Sequence, residues 1–148
     1  AIEWLFTKIA KCYPRAAILP TKDISALAWS DPETRAQIQS SPLGGGKAKL
    51  RLSTAMQLLA ATQWLSAHLS DVKTPFIVLH ARDDVVTESE SSARLYTEAA
   101  STDKELKLYE DGMHGELLHG GPTKRDLIER VFADCAGWLA GRSNRAVQ

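Results

Sequence analysis

The sequence lacks an excess of charge of either sign, because 18 lysines and arginines balance 18 aspartates and glutamates among its 148 residues. Proteins that bind nucleic acid usually carry a surplus of basic residues concentrated on one face. The charge balance therefore argues against a nucleic-acid partner. The composition, 44% hydrophobic and 24% charged, is typical of one globular domain or of a piece of a larger one.

Long hydrophobic runs are also missing. The most apolar segment, Pro75 to Ala81, is far shorter than the roughly 20 residues that a membrane-spanning helix needs. The N-terminus shows no positively charged stretch followed by an apolar one, which is the pattern of a signal peptide. The sequence therefore predicts neither a membrane anchor nor a signal peptide. Because the first residue is Ala1 rather than methionine, we expect a chain that was processed or cut from a longer one.

Cysteine is scarce, and the two that occur, Cys12 and Cys135, do not have the spacing of a metal site. A disulfide between them is possible in principle, but two buried thiols in a reducing compartment are the preferred interpretation. We therefore expect a cytoplasmic protein.

The chain divides into a mostly helical region (1–70), a region of alternating strands and helices (71–141) and a short tail (142–148). Apolar residues at helical spacing predict one helix ending near Pro14 and another from about Ser53 to Leu69. The stretch from 20 to 46 between them is rich in proline, serine, aspartate and glycine, which predicts a flexible connector.

The second region begins with an uninterrupted apolar run, Phe76 to Leu79, which is typical of a strand buried on both faces of a parallel sheet. Residues 106–109 form a second short strand. Since a helix separates the two strands, the right-handed crossover rule makes them parallel neighbours, and the fold class is α/β. A sheet of this kind normally has about five or six strands. We therefore expect an incomplete sheet, whose remaining strands come from polypeptide upstream of Ala1.

Helix boundaries in the second region follow from capping patterns. Thr87 followed three residues later by Glu90 forms a capping box, which predicts a helix reaching about Ala100. A weaker start pattern near Thr123 opens a final helix that glycine should end at Gly141.

Candidate functional residues follow the two strands, because function in open parallel sheets collects in the loops after the carboxyl ends of the strands. The first such loop contains Asp84 and the second contains His114. A serine hydroxyl becomes a good nucleophile when an imidazole takes its proton and a buried carboxylate orients that imidazole. An acid followed by a histidine is also the order of the last two members of a Ser-Asp-His triad on this type of sheet.

Three segments also carry the pattern of a known family: a His-Gly-x-x-Asp turn after one strand, then Leu-Lys-Leu-Tyr-Glu and a histidine after the next. The segments are Pro75 to Thr87, Ser92 to Tyr96 and Asp103 to His114. Together they resemble the C-terminal part of an α/β-hydrolase. More narrowly, the sequence is similar to the monoacylglycerol lipase-like group, which includes plant caffeoylshikimate esterases and lysophospholipases.

The resemblance implies that Asp84 is the acid and His114 the general base of a serine ester hydrolase. It also implies that residues 18–23 and 49–59 belong to a lid and a return helix, so that 1–70 is a lid region. A small, lipid-like carboxylic ester is the implied substrate, with peripheral membrane contact through the lid. No metal or organic cofactor is implied, and the oligomeric state is not predicted.

The sequence departs from the family pattern in three ways. Ala81 replaces the usual glycine of the turn, and Asp83 beside Asp84 offers an alternative register. Counting four residues from His80 favours Asp84. No Gly-x-Ser-x-Gly motif occurs in the 148 residues, so the nucleophile is absent from them. We therefore expect this chain to supply the acid and the histidine of a triad without catalysing by that route alone.

Each candidate has a structural alternative. Asp84 is equally consistent with a first-turn acid that interacts with the dipole of the following helix. His114 is open to interpretation as an ordinary loop histidine, His80 is expected to fix the turn, and His119 is expected to be structural. For the whole chain the alternatives are a non-catalytic, hydrolase-like binding module or an inactive truncated product.

Overall fold

A computed structural model describes residues 2–17, 23–42 and 49–143. These residues form an α/β fold that is mostly helical with a short parallel sheet, as the sequence predicts. In chain order the elements are α1 (Ile2–Cys12), α2 (Ser25–Ala28), α3 (Pro32–Ser40), α4 (Leu52–Ala67), β1 (Phe76–Ala81), α5 (Ser89–Glu98), β2 (Lys104–Tyr109), α6 (Glu116–His119) and α7 (Arg125–Ser143). Short 3-10 turns precede β1, at Leu69–Asp71, and α7, at Pro122–Lys124.

The chain forms two compact units. The first comprises Ala1–Asp23 and Pro42–Leu69, and the second comprises Ile24–Ser41 and Ser70–Gln148. In the first unit α1 packs against α4, and the chain after α1 accepts a hydrogen bond at the Ala16 carbonyl from the Leu52 amide (2.9 Å). The two helices predicted for this part of the chain are confirmed. Among the described helices, none combines the length and the apolar character needed to cross a membrane.

The second unit is built on the sheet. β1 and β2 run parallel, from the pair Phe76 and Lys104 to the pair Ala81 and Tyr109, which confirms the predicted topology. Ala81 is buried, whereas the preceding residues of β1 are only half-buried. The prediction of burial on both faces is therefore not met in the described residues, where β2 is the single strand paired with β1.

The core of the second unit lies at the carboxyl end of the sheet. It consists of Ala81, Tyr109, Leu117, Leu127 and Val131. Close packing of these side chains supports the loops that follow both strands.

The predicted flexible connector is wrong for the described residues 24–41, which contain α2 and α3. The carboxylate of Asp31 accepts hydrogen bonds from the amide (2.7 Å) and the hydroxyl (2.6 Å) of Thr34, and Pro32 occupies the first helical position. Both residues are typical of a helix start, because the cap satisfies a free amide and proline has none to satisfy. The rest of the predicted connector, residues 20–22 and 43–46, lies outside the described residues.

Two helix boundaries also differ from the prediction. Helix α5 begins after Glu88, with no side-chain cap, because the Thr87 hydroxyl donates to Asp84 instead (2.8 Å). Helix α7 continues past Gly141 to Ser143. Among the described glycines a positive φ occurs at Gly121 and not at Gly141, so Gly141 keeps the helical conformation and does not end α7.

Candidate active site

Two loops meet at the carboxyl edge of the sheet. One joins β1 to α5 and the other joins β2 to α6. Because the strands are adjacent and parallel, both loops leave the sheet at the same edge. The Arg82 amide donates to the Tyr109 carbonyl (2.9 Å), and the Arg82 side chain forms an ion pair with Glu110. These contacts hold the two loops side by side.

The structure brings the two predicted site residues together. Nδ1 of His114 lies 2.8 Å from Oδ2 of Asp84. The Asp84 side chain is 4% exposed, whereas that of His114 is 36% exposed. A carboxylate only accepts hydrogen bonds, so Nδ1 carries the proton and Nε2 of the neutral ring carries the lone pair. No residue in the described part of the chain forms a hydrogen bond to Nε2, which leaves this nitrogen available as a base.

Asp84 is held by its own loop. Its Oδ1 accepts hydrogen bonds from the amides of Val86 (2.8 Å) and Thr87 (2.9 Å), and its Oδ2 accepts one from the Thr87 hydroxyl. Burial alone raises the pKa of Asp84, but the hydrogen bonds from Thr87, His114 and Val86 outweigh it and hold this pKa well below its ordinary value. Asp84 is therefore a fixed anion at neutral pH.

His80 fixes the turn, as expected. Its Nε2 lies 3.0 Å from the Thr87 carbonyl and 3.2 Å from Oδ2 of Asp84, and its Nδ1 lies 2.7 Å from the Ser92 hydroxyl. Since the carbonyl and the carboxylate both only accept, Nε2 donates, and Nδ1 of the neutral ring accepts from Ser92. His80 thus ties the end of β1 to the acid loop and to α5.

The structure also distinguishes the two neighbouring acids. Asp83 is exposed, and Asp84 is the residue that contacts His114. Ala81, which stands where the family has glycine, is 1% exposed, and its methyl group belongs to the core of the second unit. The substitution is therefore accommodated by packing.

The sequence analysis missed one buried acid close to His114 in the sequence. Glu116, two residues after His114, is fully buried and accepts hydrogen bonds from Ser30 and Met113. The sequence offers little indication of this, because a glutamate in the first turn of a helix is usually exposed. Its main partner, Ser30, precedes it by 86 residues.

The remaining histidines have structural contacts. The backbone carbonyl of His119 accepts a hydrogen bond from the Trp29 indole (2.9 Å), and in the first unit His68 stacks on Trp64 at 4.2 Å. The described residues contain no group of three or more His, Cys, Asp or Glu side chains that could hold a metal ion. Of the predicted lid segment 18–23, residues 18–22 lie outside the described residues.

The sequence resembles a known family and a known plant esterase. A family model described as serine aminopeptidase, S33 matches residues 1–119. A caffeoylshikimate esterase from Arabidopsis thaliana is 35% identical over 123 residues, which are 83% of this chain and 36% of the esterase.

Two solved structures share the fold. A soluble variant of monoglyceride lipase from Saccharomyces cerevisiae, crystallised with a substrate analog, superposes with a TM-score of 0.70 at 24% identity, over 95% of this chain and 48% of the lipase. A monoacylglycerol lipase from Paleococcus ferrophilus superposes with a TM-score of 0.69 at 18% identity, over 89% of this chain and 51% of that lipase. The chain therefore spans about half the length of these lipases, and less of the esterase.

Proposed function

Because the chain belongs to the serine aminopeptidase S33 family of α/β-hydrolases, we propose that it supplies the acid and the general base of a Ser-Asp-His triad in a serine ester hydrolase. The observation that carries this proposal is the 2.8 Å contact between Oδ2 of buried Asp84 and Nδ1 of partly exposed His114. The same contact argues against the interpretation of Asp84 as only a first-turn acid of α5.

The chemistry follows from the tautomer that Asp84 imposes. Nε2 of His114 takes the proton from the serine hydroxyl as its oxygen attacks the ester carbonyl, and gives that proton to the departing alcohol. In the second half of the reaction Nε2 takes a proton from water as the water oxygen attacks the carbonyl of the acyl-serine. The bond between the acyl group and the serine oxygen then breaks, the acid is released, and Nε2 gives the proton to that serine oxygen. Asp84 stays ionised throughout and stabilises the imidazolium that forms twice in each cycle.

The nucleophile and the oxyanion hole are not part of this constellation. The 148 residues contain no Gly-x-Ser-x-Gly motif, so in this proposal the serine comes from polypeptide outside them. Residues 1–70 would then form the lid region and residues 71–141 the C-terminal part of the hydrolase core.

The proposed substrate is a small carboxylic ester. The similar proteins are named as an esterase and as monoglyceride lipases, which supports an ester with a lipid-like or hydroxycinnamoyl acyl group. We further propose a cytoplasmic protein that contacts membranes peripherally through its lid.

The tautomer of His114 tests the acid–base pair in the 148-residue chain. In Asp84→Asn the amide oxygen must face the Val86 and Thr87 amides, which leaves the NH₂ group facing Nδ1 of His114. We expect long-range proton–nitrogen NMR correlations to show the Nδ1-protonated ring in the wild type and the Nε2-protonated ring in Asp84→Asn. Asp83→Asn is the matched control and should keep the wild-type tautomer. An unchanged tautomer in folded Asp84→Asn would contradict the proposed pair.

The missing nucleophile is tested separately. A fluorophosphonate probe should not label the purified 148-residue chain at any serine. Labelling would show that the chain contains its own activated serine, contrary to the proposal.

The absence of the serine motif favours one alternative function, a hydrolase-like binding module without catalysis. The nucleotide sequence upstream of the Ala1 codon distinguishes the two. An in-frame Gly-x-Ser-x-Gly motif supports the hydrolase, whereas an upstream hydrolase core with the serine replaced supports the binding module.

A further inference from the structure

Glu116 is a fully buried carboxylate that the proposed proton transfers do not use. Its Oε1 accepts hydrogen bonds from the amide (2.7 Å) and from the hydroxyl of Ser30, and its Oε2 accepts one from the Met113 amide (2.9 Å). The Lys124 ammonium lies 3.3 Å from Oε2. Burial of a charge is costly unless hydrogen bonds and an opposite charge compensate for it, as they do here.

The hydrogen bonds keep this buried group ionised. Burial by itself raises the pKa of Glu116, but hydrogen bonds from Ser30, Met113 and Lys124 together hold the pKa below its ordinary value. An ionised carboxylate has acceptor sites on both oxygens, so it can bind donors on two sides at once.

Those two sides belong to two different segments. Ser30 lies in the turn between α2 and α3, and Met113 directly precedes His114. On the other side of His114, the Gly115 amide donates to the carbonyl of Ala28 (2.9 Å). The backbone is therefore fixed on both sides of His114, through Glu116 on one side and directly by the end of α2 on the other.

Trp29 shows how closely the segments approach. A Cβ atom added to Gly115 would lie 2.1 Å from Cε2 of the Trp29 ring. The ring thus occupies the space that a side chain at position 115 would need. The segment 24–41 is a support for the histidine loop in the same compact unit.

We propose that Glu116 is a positioning residue for His114. It joins the Ser30 turn to the Met113 amide, and so holds the His114 ring where Nδ1 reaches Oδ2 of Asp84. This inference rests on the proposed function, because it assigns a purpose to the Asp84–His114 contact. Glu116 does not touch the reacting atoms and acts through the loop backbone.

Glu116→Gln distinguishes the contact with Ser30 from the contact with the Met113 amide. The amide oxygen can serve the two Ser30 donors, which leaves the NH₂ group facing the Met113 amide, so that two donors oppose each other. We expect the hydrogen bond with the Met113 amide to be lost and the hydrogen bonds with Ser30 to remain. The His114 ring should then populate both tautomers, and the Met113 amide should exchange its proton with solvent about tenfold faster.

Two further variants make the test independent of folding losses. Ser30→Ala removes one hydrogen bond at an exposed residue and should stay folded, with a smaller shift of the same kind in the His114 signals. Asp134→Asn is the matched control, because Asp134 accepts hydrogen bonds from Lys107 and Tyr109 at another place in the unit. It should lower the melting temperature without changing the His114 tautomer or the Met113 exchange rate.

The results are read on folded protein at neutral pH. A mixed tautomer in Glu116→Gln, a smaller shift in Ser30→Ala and none in Asp134→Asn support the positioning role. The positioning role is overturned if Ser30→Ala keeps the wild-type His114 signals and Glu116→Gln either keeps them too or does not fold. The contacts of Glu116 would then be purely structural. The Asp84→Asn result separates the two ideas: if it changes the tautomer and the Glu116 and Ser30 variants do not, the positioning role fails while the triad proposal stands.

Discussion

The hydroxyl of Thr87 donates to Oδ2 of Asp84 at 2.8 Å and lies 3.2 Å from Nδ1 of His114. Thr87 therefore contacts both members of the proposed acid–base pair, and its amide also donates to Oδ1 of Asp84. The hydroxyl and the imidazole share one carboxylate oxygen. Without the hydroxyl, Oδ2 would accept one hydrogen bond fewer, and its hydrogen bond from Nδ1 of His114 should become stronger. The carboxylate as a whole would be less stabilised, because it has lost a donor.

Thr87→Val tests this arrangement. The shape of the side chain is kept and one hydrogen bond is lost, so we expect the free energy of unfolding to fall by about 1 kcal/mol. The His114 tautomer should not change, because the amides of Val86 and Thr87 still hold Asp84. Urea unfolding measures the loss, and Thr87→Ser, which keeps the hydroxyl, is the control with a smaller effect. A tautomer change in Thr87→Val would mean that the hydroxyl, and not the carboxylate, orients His114.

Acid should destabilise the second unit, in which the pKa values of Asp31, Asp84, Glu116 and Asp134 are lowered and in which Asp84 and Glu116 are buried. The pKa values of Asp84 and Glu116 are lowered in the folded protein, so their contribution is present above the unfolded pKa of about 4 and is lost as pH falls below it. We expect the urea midpoint to decrease between pH 7 and pH 3. The decrease should be smaller in Asp84→Asn than in the wild type, and unaltered in Asp83→Asn. Parallel decreases in all three proteins would show that other groups dominate acid unfolding.

Alkali should act through Tyr109. Burial raises its pKa, and so does the hydrogen bond that its hydroxyl donates to Asp134 (2.6 Å). The folded protein therefore keeps the phenol protonated when the unfolded chain does not. The contribution of protonated Tyr109 to the free energy of unfolding is fully present below the unfolded pKa of about 10, and it is lost as the pH rises above that value.

Ultraviolet absorbance of the phenolate measures this directly. The difference between the wild type and Tyr109→Phe should show no phenolate from Tyr109 at pH 10.5, at which a solvent-exposed tyrosine is largely ionised. Tyr96→Phe is the control for a more exposed ring. A Tyr109 signal that follows an ordinary tyrosine curve would contradict the hydrogen bond to Asp134.

Gly115→Ala tests the close approach of Trp29. The backbone angles of Gly115, φ −89° and ψ −12°, suit any residue, so the cost comes from the ring that fills the space of the new methyl group. We expect a loss of about 1–3 kcal/mol in the free energy of unfolding.

The matched control is Gly137→Ala in α7, because a Cβ atom there would meet nothing within 4 Å. Alanine in an exposed helix interior should stabilise by about 0.5–1 kcal/mol. Combining Gly115→Ala with Trp29→Ala should recover part of the loss, which a double-mutant cycle measures. Strictly additive effects of the two substitutions would show that the ring and the methyl group do not collide.

Local sequence patterns predicted the strand–helix–strand unit of β1, α5 and β2, because the order of these elements along the chain determines how the strands pair. The apolar run at the start of β1 and the strand–helix–strand order were enough to predict parallel strands and to bring Asp84 and His114 to one edge of the sheet. Their catalytic roles stay a prediction. The capping box at Thr87 failed because a carboxylate three residues earlier competes for the same hydroxyl.

Local sequence patterns did not predict that residues 24–41 contact the loop that carries His114. Asp31 followed by Pro32 is typical of both a turn and a helix start. The choice depends on Thr34, whose amide and hydroxyl both donate to the carboxylate of Asp31, the N-cap of α3. The partnership of Glu116 with Ser30 joins residues far apart in sequence, and neither residue type indicates the other. Such contacts depend on how α2 and α3 pack within the unit.

The edge of β1 that faces away from β2 affects how the chain behaves at high concentration. In the part of the chain that the structure describes, this strand pairs with β2 alone, which leaves one row of its backbone amides and carbonyls without a neighbouring strand. Such a row can template a strand from any polypeptide that reaches it. At high concentration the isolated chain should extend its sheet with copies of itself, and dilution or a strand-forming peptide should compete with that growth.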